Sequence, residues 1–182
     1  MLVVNPEVEL IHRAQHSDRQ AFARLVERYW QRLYRWLYRL THDHHLAEDL
    51  AQDSFLKALA HLGTFRTEQS FPSWLFRIAH NNFVNNRRSG RKILHGFPEQ
   101  LPAAQPDAGE EAMTREALVL LARAVGRLPV DYRAPFLLRT EEDLSFREIA
   151  AALQITEETA RWRVFKARQK LMEVLGPQLE LE

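Results

Sequence analysis

The chain has 182 residues, which is enough for one large domain or two small ones. Its hydrophobic share of 46% and charged share of 27% are globular values, and a formal net charge of only +1 excludes a uniformly basic nucleic-acid coat protein. The absence of cysteine excludes disulfides and thiolate metal sites, and with no signal peptide and no apolar run of about 20 residues we expect a cytoplasmic protein without membrane insertion.

The first part of the chain shows helical spacing of apolar residues in three segments. A short amphipathic helix is expected after Pro6, and a long one over residues 19–40, where apolar residues recur at alternating intervals of three and four. Residues 44 or 45 to 62 predict a third helix, whose leucines can face inward beside smaller and aromatic side chains. The leucines are Leu46, Leu50, Leu56, Leu59 and Leu62, and the other inward residues are Ala47, Ala51, Phe55 and Ala58. The same helix carries an acidic and amide strip, for which a solvated face is the simplest interpretation: Glu48, Asp49, Gln52 and Asp53.

A fourth helix is expected to begin at Ser73 and to end near residue 88, after a loop over residues 64–72. It carries an unusual run of asparagines: Asn81, Asn82, Asn85 and Asn86. Asparagine costs roughly half a kcal/mol against alanine at each helical position. Side chains that donate to and accept from nucleobases would offset that cost, and a fraying helix end is the alternative interpretation. Trp74 on this helix is expected in the core.

The fold class expected is all-α, with two small helical domains joined by a flexible linker that contains proline and glycine. The linker is assigned to residues 93–112 because residues 95–111 hold three prolines, two glycines and little periodicity. The domains are therefore assigned to residues 1–92 and 113–182. Such a tether is expected to leave the two domains loosely coupled unless a partner protein clamps them.

Residues 144–171 predict two helices joined by a tight turn. Ser145 and Glu148 have the spacing of a capping box, and Thr156 is a second N-cap candidate. Cations crowd one surface of the second helix: Arg161, Arg163, Lys166, Arg168 and Lys170. This pattern is typical of a helix-turn-helix, in which the second helix lies in the DNA major groove. An ordinary helical hairpin with a solvated basic face is the alternative.

In their order and spacing, several segments resemble one family. They are residues 22–29, AEDLAQDSFLKAL from Ala47, FPSWLFRIAHNNFVNNRR from Phe71, the Leu-Pro pair at 128–129, and DLSFREIAAAL and TARWRVFKARQKL from Asp143 onward. The family is the extracytoplasmic-function (ECF) group of sigma-70 initiation factors. The resemblance implies that residues 1–92 are sigma region 2, that residues 113–182 are sigma region 4, and that the chain is no enzyme and needs no cofactor.

The resemblance also implies partners and site residues. Core RNA polymerase would be bound through its largest-subunit clamp helices and its flap, with the clamp helices on Glu48, Asp49, Gln52, Asp53 and Phe55. The minus-ten promoter element would be opened and held by Phe65, Glu68, Gln69, Ser70, Phe71, Asn81 and Asn85, with Arg87, Arg88, Arg91 and Lys92 on phosphates. The minus-thirty-five element would be read by Thr159, Arg161, Trp162, Arg163, Phe165 and Lys166. An anti-sigma factor is a further implied partner.

Two positions depart from the family pattern. Gln154 replaces the glycine common in the turn of the helix-turn-helix, so the backbone must adopt that turn without it. Trp162 stands where small or polar residues are usual, which favours apolar contact with a thymine methyl.

Two other functions remain as alternatives. A two-domain helix-turn-helix regulator of duplex DNA would account for residues 144–171, but not for the asparagine-rich helix or the acidic strip. A metal site is the second, because His42, His44 and His45 with Asp43 supply metal-binding side chains. Their spacing is not that of a zinc hydrolase helix, and polar residues are ordinary in a turn.

Overall fold

Helices account for most of the computed structural model, which describes residues 5–90 and 110–179, with side chains described for 5–90 and 117–176. The described residues form eight α-helices and no strand, so the all-α class is confirmed. The helices are α1 Pro6–Gln15, α2 Arg19–Thr41, α3 His44–His61, α4 Phe71–Arg88, α5 Glu110–Arg127, α6 Val130–Thr140, α7 Phe146–Leu153 and α8 Glu157–Leu179. A 3-10 turn, Leu62–Thr64, follows α3. None of these helices combines the length and apolarity needed to cross a bilayer.

The predicted linker lies outside the described residues except for its last three, which begin α5. The helices α1–α4 are called the N-terminal half below, and α5–α8 the C-terminal half. The domain boundaries at 92 and 113 remain predictions.

Polar side chains define where the helices of the N-terminal half begin. Asp18 accepts from the backbone nitrogens of Gln20 and Ala21, both at 3.0 Å, and Asp43 accepts from that of Leu46 at 3.0 Å. Each side chain satisfies donors that have no partner within the helix. The same device makes α4 longer than expected. Ser70 is its N-cap, so the helix begins two residues before Ser73, with proline in its first turn.

The core of the N-terminal half forms around α2, whose inward residues Leu25, Leu33 and Leu37 are fully buried. Helix α3 packs against both α2 and α4. It does so through small residues, because Ala47, Ala51 and Ala58 are 0% exposed. The prediction that all its leucines face inward is wrong for two of them: Leu56 is 66% exposed and Leu59 is 50% exposed.

The C-terminal half contains the expected helix-turn-helix, formed by α7 and α8. The Ser145–Glu148 capping box is present in both directions, with Ser145 N donating to Glu148 Oε2 at 2.8 Å. Thr156 caps α8 by accepting from the backbone nitrogen of Thr159 at 3.1 Å. Gln154 adopts the left-handed conformation with φ 56°, so the turn forms without glycine at a small conformational cost.

The two halves pack directly against each other, which corrects the expectation of loose coupling. Helix α4 lies against α7, and α2 lies against α6. Ser73 Oγ donates to the carbonyl of Glu148 at 2.8 Å. On the α2 side, Arg32 Nε donates to Glu142 Oε2 at 2.6 Å, and Glu142 is buried. The contact therefore combines apolar packing with hydrogen bonds and a largely buried ion pair.

Candidate nucleic-acid and polymerase interfaces

The exposed face of α3 joins carboxylates to apolar side chains. The predicted residues Glu48, Asp49, Gln52 and Asp53 all lie on this face and are exposed. Leu56 and Leu59 continue it toward the end of the helix. These two leucines were missed as site residues because they were expected to face inward beside the alanines of α3. We call these six residues the α3 face.

Phe55 does not belong to the α3 face in the structure. It is 5% exposed, and its ring stacks on that of Trp30 with centroids 5.9 Å apart. The side chain of Phe55 thus lies in the core under the face, and the polymerase contact expected for it stays a prediction. Phe55 supports α3 from inside.

Three aromatic rings pack together in the core beside the loop that precedes α4. Phe65 and Phe71 are 5% and 2% exposed, with centroids 5.6 Å apart, and each contacts Trp74. Tyr29 contacts Phe71 at 5.3 Å. Phe65 and Phe71 are therefore buried in this structure and do not line an open pocket, and their role in holding a melted strand stays a prediction. The core position expected for Trp74 is confirmed by its 7% exposure.

The remaining loop residues predicted for the minus-ten element do line a cavity. Its volume is about 590 Å³, and Glu68, Gln69 and Ser70 form part of its wall. The other walls are Ser73, Trp74 and Arg77 from α4, and Ser145, Arg147, Glu148 and Ala151 from the start of the helix-turn-helix. The cavity thus lies between the two halves.

The asparagines of α4 differ in their surroundings. Asn81 and Asn85, one helical turn apart, are exposed. Asn82 is 6% exposed, donates to Ser54 Oγ at 2.9 Å and accepts from the Lys57 ammonium. Hydrogen bonds to α3 therefore offset the helical cost of Asn82, whereas Asn81 and Asn85 face outward, where a ligand can reach them. In this structure Asn81 accepts from Gln154 at 3.3 Å.

The basic end of α4 is only partly described. Arg87 and Arg88 are exposed, and the Arg87 guanidinium lies 5.8 Å from the centroid of the Phe83 ring. Arg91 and Lys92 lie outside the described residues. The two described cations lie about two helical turns beyond Asn81, on the same helix as the exposed asparagines.

The predicted recognition residues lie on the first three turns of α8. Some of their side chains are engaged in contacts within the protein, and others are exposed. Arg161 donates to Glu157 at 2.5 Å and lies 4.7 Å over the Phe146 ring. Lys166 donates to Gln169 at 2.9 Å, and the Thr159 hydroxyl bonds that of Thr156. Arg163 is half-buried. Trp162 and Phe165 are the large exposed side chains of this region, at 50% and 62%.

In the histidine-rich turn, the side chains of residues 42–44 each contact different protein groups and do not converge on one point where a metal ion could bind. Asp43 caps α3, and His44 shares a hydrogen bond of 2.7 Å with Tyr34 and stacks on Tyr38 at 4.2 Å. His42 Nε2 lies 2.7 Å from an Arg133 nitrogen. Within residues 5–90 and 110–179, no three histidine, aspartate or glutamate side chains are grouped so that they could hold a metal ion.

Two histidines in the contact between the halves have lowered pKa values. Burial lowers the pKa of His42 first, and the adjacent Arg133 charge adds to it. Burial also lowers the pKa of His80, with Arg163 acting in the same direction and Asp131 opposing them. Protonation of His42 at Nε2 would remove the acceptor that Arg133 uses. Both groups therefore favour the folded, closed arrangement when they are neutral.

We expect the free energy of unfolding to fall as pH is lowered through and below 6.5. A group whose pKa is lower in the folded state binds more protons in the unfolded state. Its contribution to stability is therefore complete above the unfolded-state pKa and is lost as the pH falls toward the folded-state pKa. The slope contributed by each histidine is at most about 1.4 kcal/mol per pH unit. Urea unfolding between pH 7 and 5.5 measures it. His42→Asn, which suits the left-handed φ of 56° at this position, should flatten the curve.

The matched control is the exposed His61, replaced by asparagine. If His42→Asn and His61→Asn leave the same pH dependence as the original chain, His42 does not carry the effect.

Comparisons with known proteins match both halves of the chain in order. Residues 25–93 match the family described as Sigma-70 region 2, and residues 118–171 match the one described as Sigma-70, region 4. The chain is 32% identical to the RNA polymerase sigma-H factor of Pseudomonas aeruginosa over 98% of each chain. It is 31% identical to the ECF RNA polymerase sigma-E factor of Salmonella typhimurium, over 92% of this chain and 93% of that one.

A solved structure has the same arrangement of helices. It is the sigma factor RpoE of Bartonella quintana in complex with the anti-sigma factor NepR. The TM-score is 0.70 and the identity 25%, over 85% of this chain and 96% of that one. The likeness covers both halves, so the match is not limited to the helix-turn-helix.

Proposed function

Because the chain belongs to the extracytoplasmic-function group of the sigma-70 family, we propose that it binds core RNA polymerase and directs transcription initiation at specific promoters. The observation that carries this proposal is that each matched region contains an exposed surface. In the first region it is the asparagine side of α4, and in the second it is the first turns of α8. A regulator that acts through its helix-turn-helix alone would leave the match over residues 25–93 unexplained, so it is not favoured.

The α3 face is the surface we assign to the polymerase. Its carboxylates suit a basic coiled coil, and complementary charge guides and orients association. Leu56 and Leu59 add apolar area that is otherwise costly to leave in water, as expected for the centre of a contact. The clamp helices of the largest subunit are the proposed partner of this face, and the flap is the proposed partner of the C-terminal half.

The DNA contacts are assigned to two groups. For the minus-ten element, Asn81 and Asn85 are proposed to bond bases of the melted strand, with Arg87 and Arg88 on phosphates. For the minus-thirty-five element, we propose that Arg161 and its neighbours on α8 read base edges once Arg161 leaves Glu157. The exposure of the two asparagines and of Arg161 supports the assignment.

We further propose an anti-sigma protein as a partner, because the Bartonella relative is bound to one. In this account the protein acts in the cytoplasm, where polymerase and DNA meet, and has no catalytic activity of its own, since the polymerase makes the RNA.

The direct test is run-off transcription with purified core polymerase on a library of promoter fragments. We expect RNA chains that start at defined positions only when this protein is added. Binding to duplex DNA without any stimulated initiation would support the regulator instead and would reject the proposal.

Asp49→Lys is expected to weaken core binding about tenfold at low salt, because it places a cation toward a basic partner. Glu9→Lys on α1, which makes the same charge change at another exposed site, is the matched control. Fluorescence anisotropy of labelled protein titrated with core measures both. Equal affinity of the two variants would remove the α3 face from the polymerase contact.

A further inference from the structure

Trp162 lies in the first turns of α8 with half of its surface exposed. Its ring meets that of Tyr132 edge-on, with centroids 5.8 Å apart and an interplanar angle of 67°. That contact holds one side of the indole and leaves the other to solvent. An aromatic side chain supported in this way loses little conformational freedom when it binds a second surface.

The polar residues around Trp162 are occupied in the structure. Arg161 is held by Glu157 and by the Phe146 ring, and Lys166 is held by Gln169. Phe165, at the i+3 position from Trp162, extends the exposed apolar surface along the same side of α8. This part of the helix therefore presents aromatic carbon, flanked by cations, in the region that a helix-turn-helix places against base edges.

The major groove has one natural apolar group at its base edges, the C5 methyl of thymine. Cytosine, adenine and guanine present only donors, acceptors and ring carbons there. A tryptophan in this groove gains free energy from contact with that methyl and gains none from a bare donor or acceptor. The flanking cations Arg161 and Lys166 add positive charge beside this apolar surface, which favours its approach to DNA.

Resting on the proposed function, we infer that Trp162 makes recognition of the upstream promoter element depend on a thymine methyl group. The specificity is thus read by apolar contact at one base pair. Substitution of uracil for that thymine keeps every hydrogen bond of the pair and removes only the methyl.

The experiment uses the holoenzyme formed with core polymerase. Selection from DNA randomised upstream of the start site first gives the preferred element. Each thymine in it is then replaced singly by uracil, and affinity is measured by competition. We expect one position, or two adjacent ones, at which uracil weakens binding about fourfold, as the burial of one methyl predicts. Trp162→Ser should bind the thymine and uracil elements equally.

Met172→Ser is the matched control, because Met172 is also exposed on the same helix but lies near its other end. It should respond to uracil like the original chain. A holoenzyme that starts RNA at defined sites yet ignores every uracil substitution overturns the inference alone. A Trp162→Ser variant that still responds to uracil overturns it as well. Failure to select any promoter would reject the proposed function too.

Discussion

Replacement of Trp36 by alanine is expected to lower the free energy of unfolding by about 3–5 kcal/mol. The side chain is 1% exposed, and its ring meets that of Phe76 edge-on at 5.3 Å. The indole nitrogen also lies 3.4 Å from the carbonyl of Ala134 in the other half of the protein. Alanine would leave a cavity between α2, α4 and α6. Urea unfolding followed by circular dichroism measures the loss.

Trp162→Ala is the matched control for this prediction, since the same atoms are removed from a side chain that is half exposed. We expect a smaller loss of about 1–2 kcal/mol, because half of the indole is already in water and its aromatic contact is with Tyr132 alone. Comparable losses in the two variants would mean that Trp36 does not hold the core. A change in the slope of the unfolding curve would indicate that the halves no longer unfold together.

Arg32→Met is expected to cost about 2–4 kcal/mol, somewhat less than removal of one partner of a fully buried ion pair. The Glu142 side chain is only 4% exposed, whereas that of Arg32 is 33% exposed. Loss of the arginine leaves a buried carboxylate without its partner. Glu142→Gln leaves a guanidinium that can still reach water, so its cost should be smaller. The asymmetry follows from which of the two groups water can reach.

A double-mutant cycle isolates the pair. The variant with both Arg32→Met and Glu142→Gln should be more stable than the sum of the single losses predicts, with a coupling of about 1–3 kcal/mol. Thermal unfolding of the four proteins in one buffer gives the four values needed. Additive losses would show that the ion pair contributes nothing to the contact between the halves. Arg39 and Glu141, at 2.9 Å, form a second pair on which the same cycle can be repeated.

The positions of the helices followed from the sequence because their causes are local. Alternating intervals of three and four residues predicted α2, and the Ser145–Glu148 spacing predicted the capping box before α7. The side chains that face inward on α3 were harder to predict. The inward positions expected for Ala47, Ala51 and Ala58 are confirmed. Leu56 and Leu59 were also expected inside because leucine is strongly apolar, but both side chains lie on the exposed face.

The site could be predicted in part for the same reason. Helical spacing correctly predicted that the carboxylates of α3 form one exposed strip, and the family resemblance singled out Asn81 and Asn85, which are exposed. Spacing alone did not separate these two from the buried Asn82. It could not show that Phe65 and Phe71 form an internal aromatic cluster, since that depends on Tyr29 from another helix. Nor could it show the packing between the halves, which joins residues as far apart as Arg32 and Glu142. Pairings over such a distance are set by tertiary structure and leave no periodic signal.

The hydrogen bond between Gln154 and Asn81 has a consequence for promoter engagement. If Asn81 holds the minus-ten element and the helix after Gln154 reads the minus-thirty-five element, their targets are roughly 25 base pairs apart, about 85 Å along B-DNA. Here the two side chains touch at 3.3 Å. While the two halves are packed in this way, the protein cannot bind both elements of one promoter at the same time. The free energy needed to separate the two halves therefore lowers the apparent affinity for the promoter. A partner that binds only the separated form would raise promoter occupancy without contacting DNA.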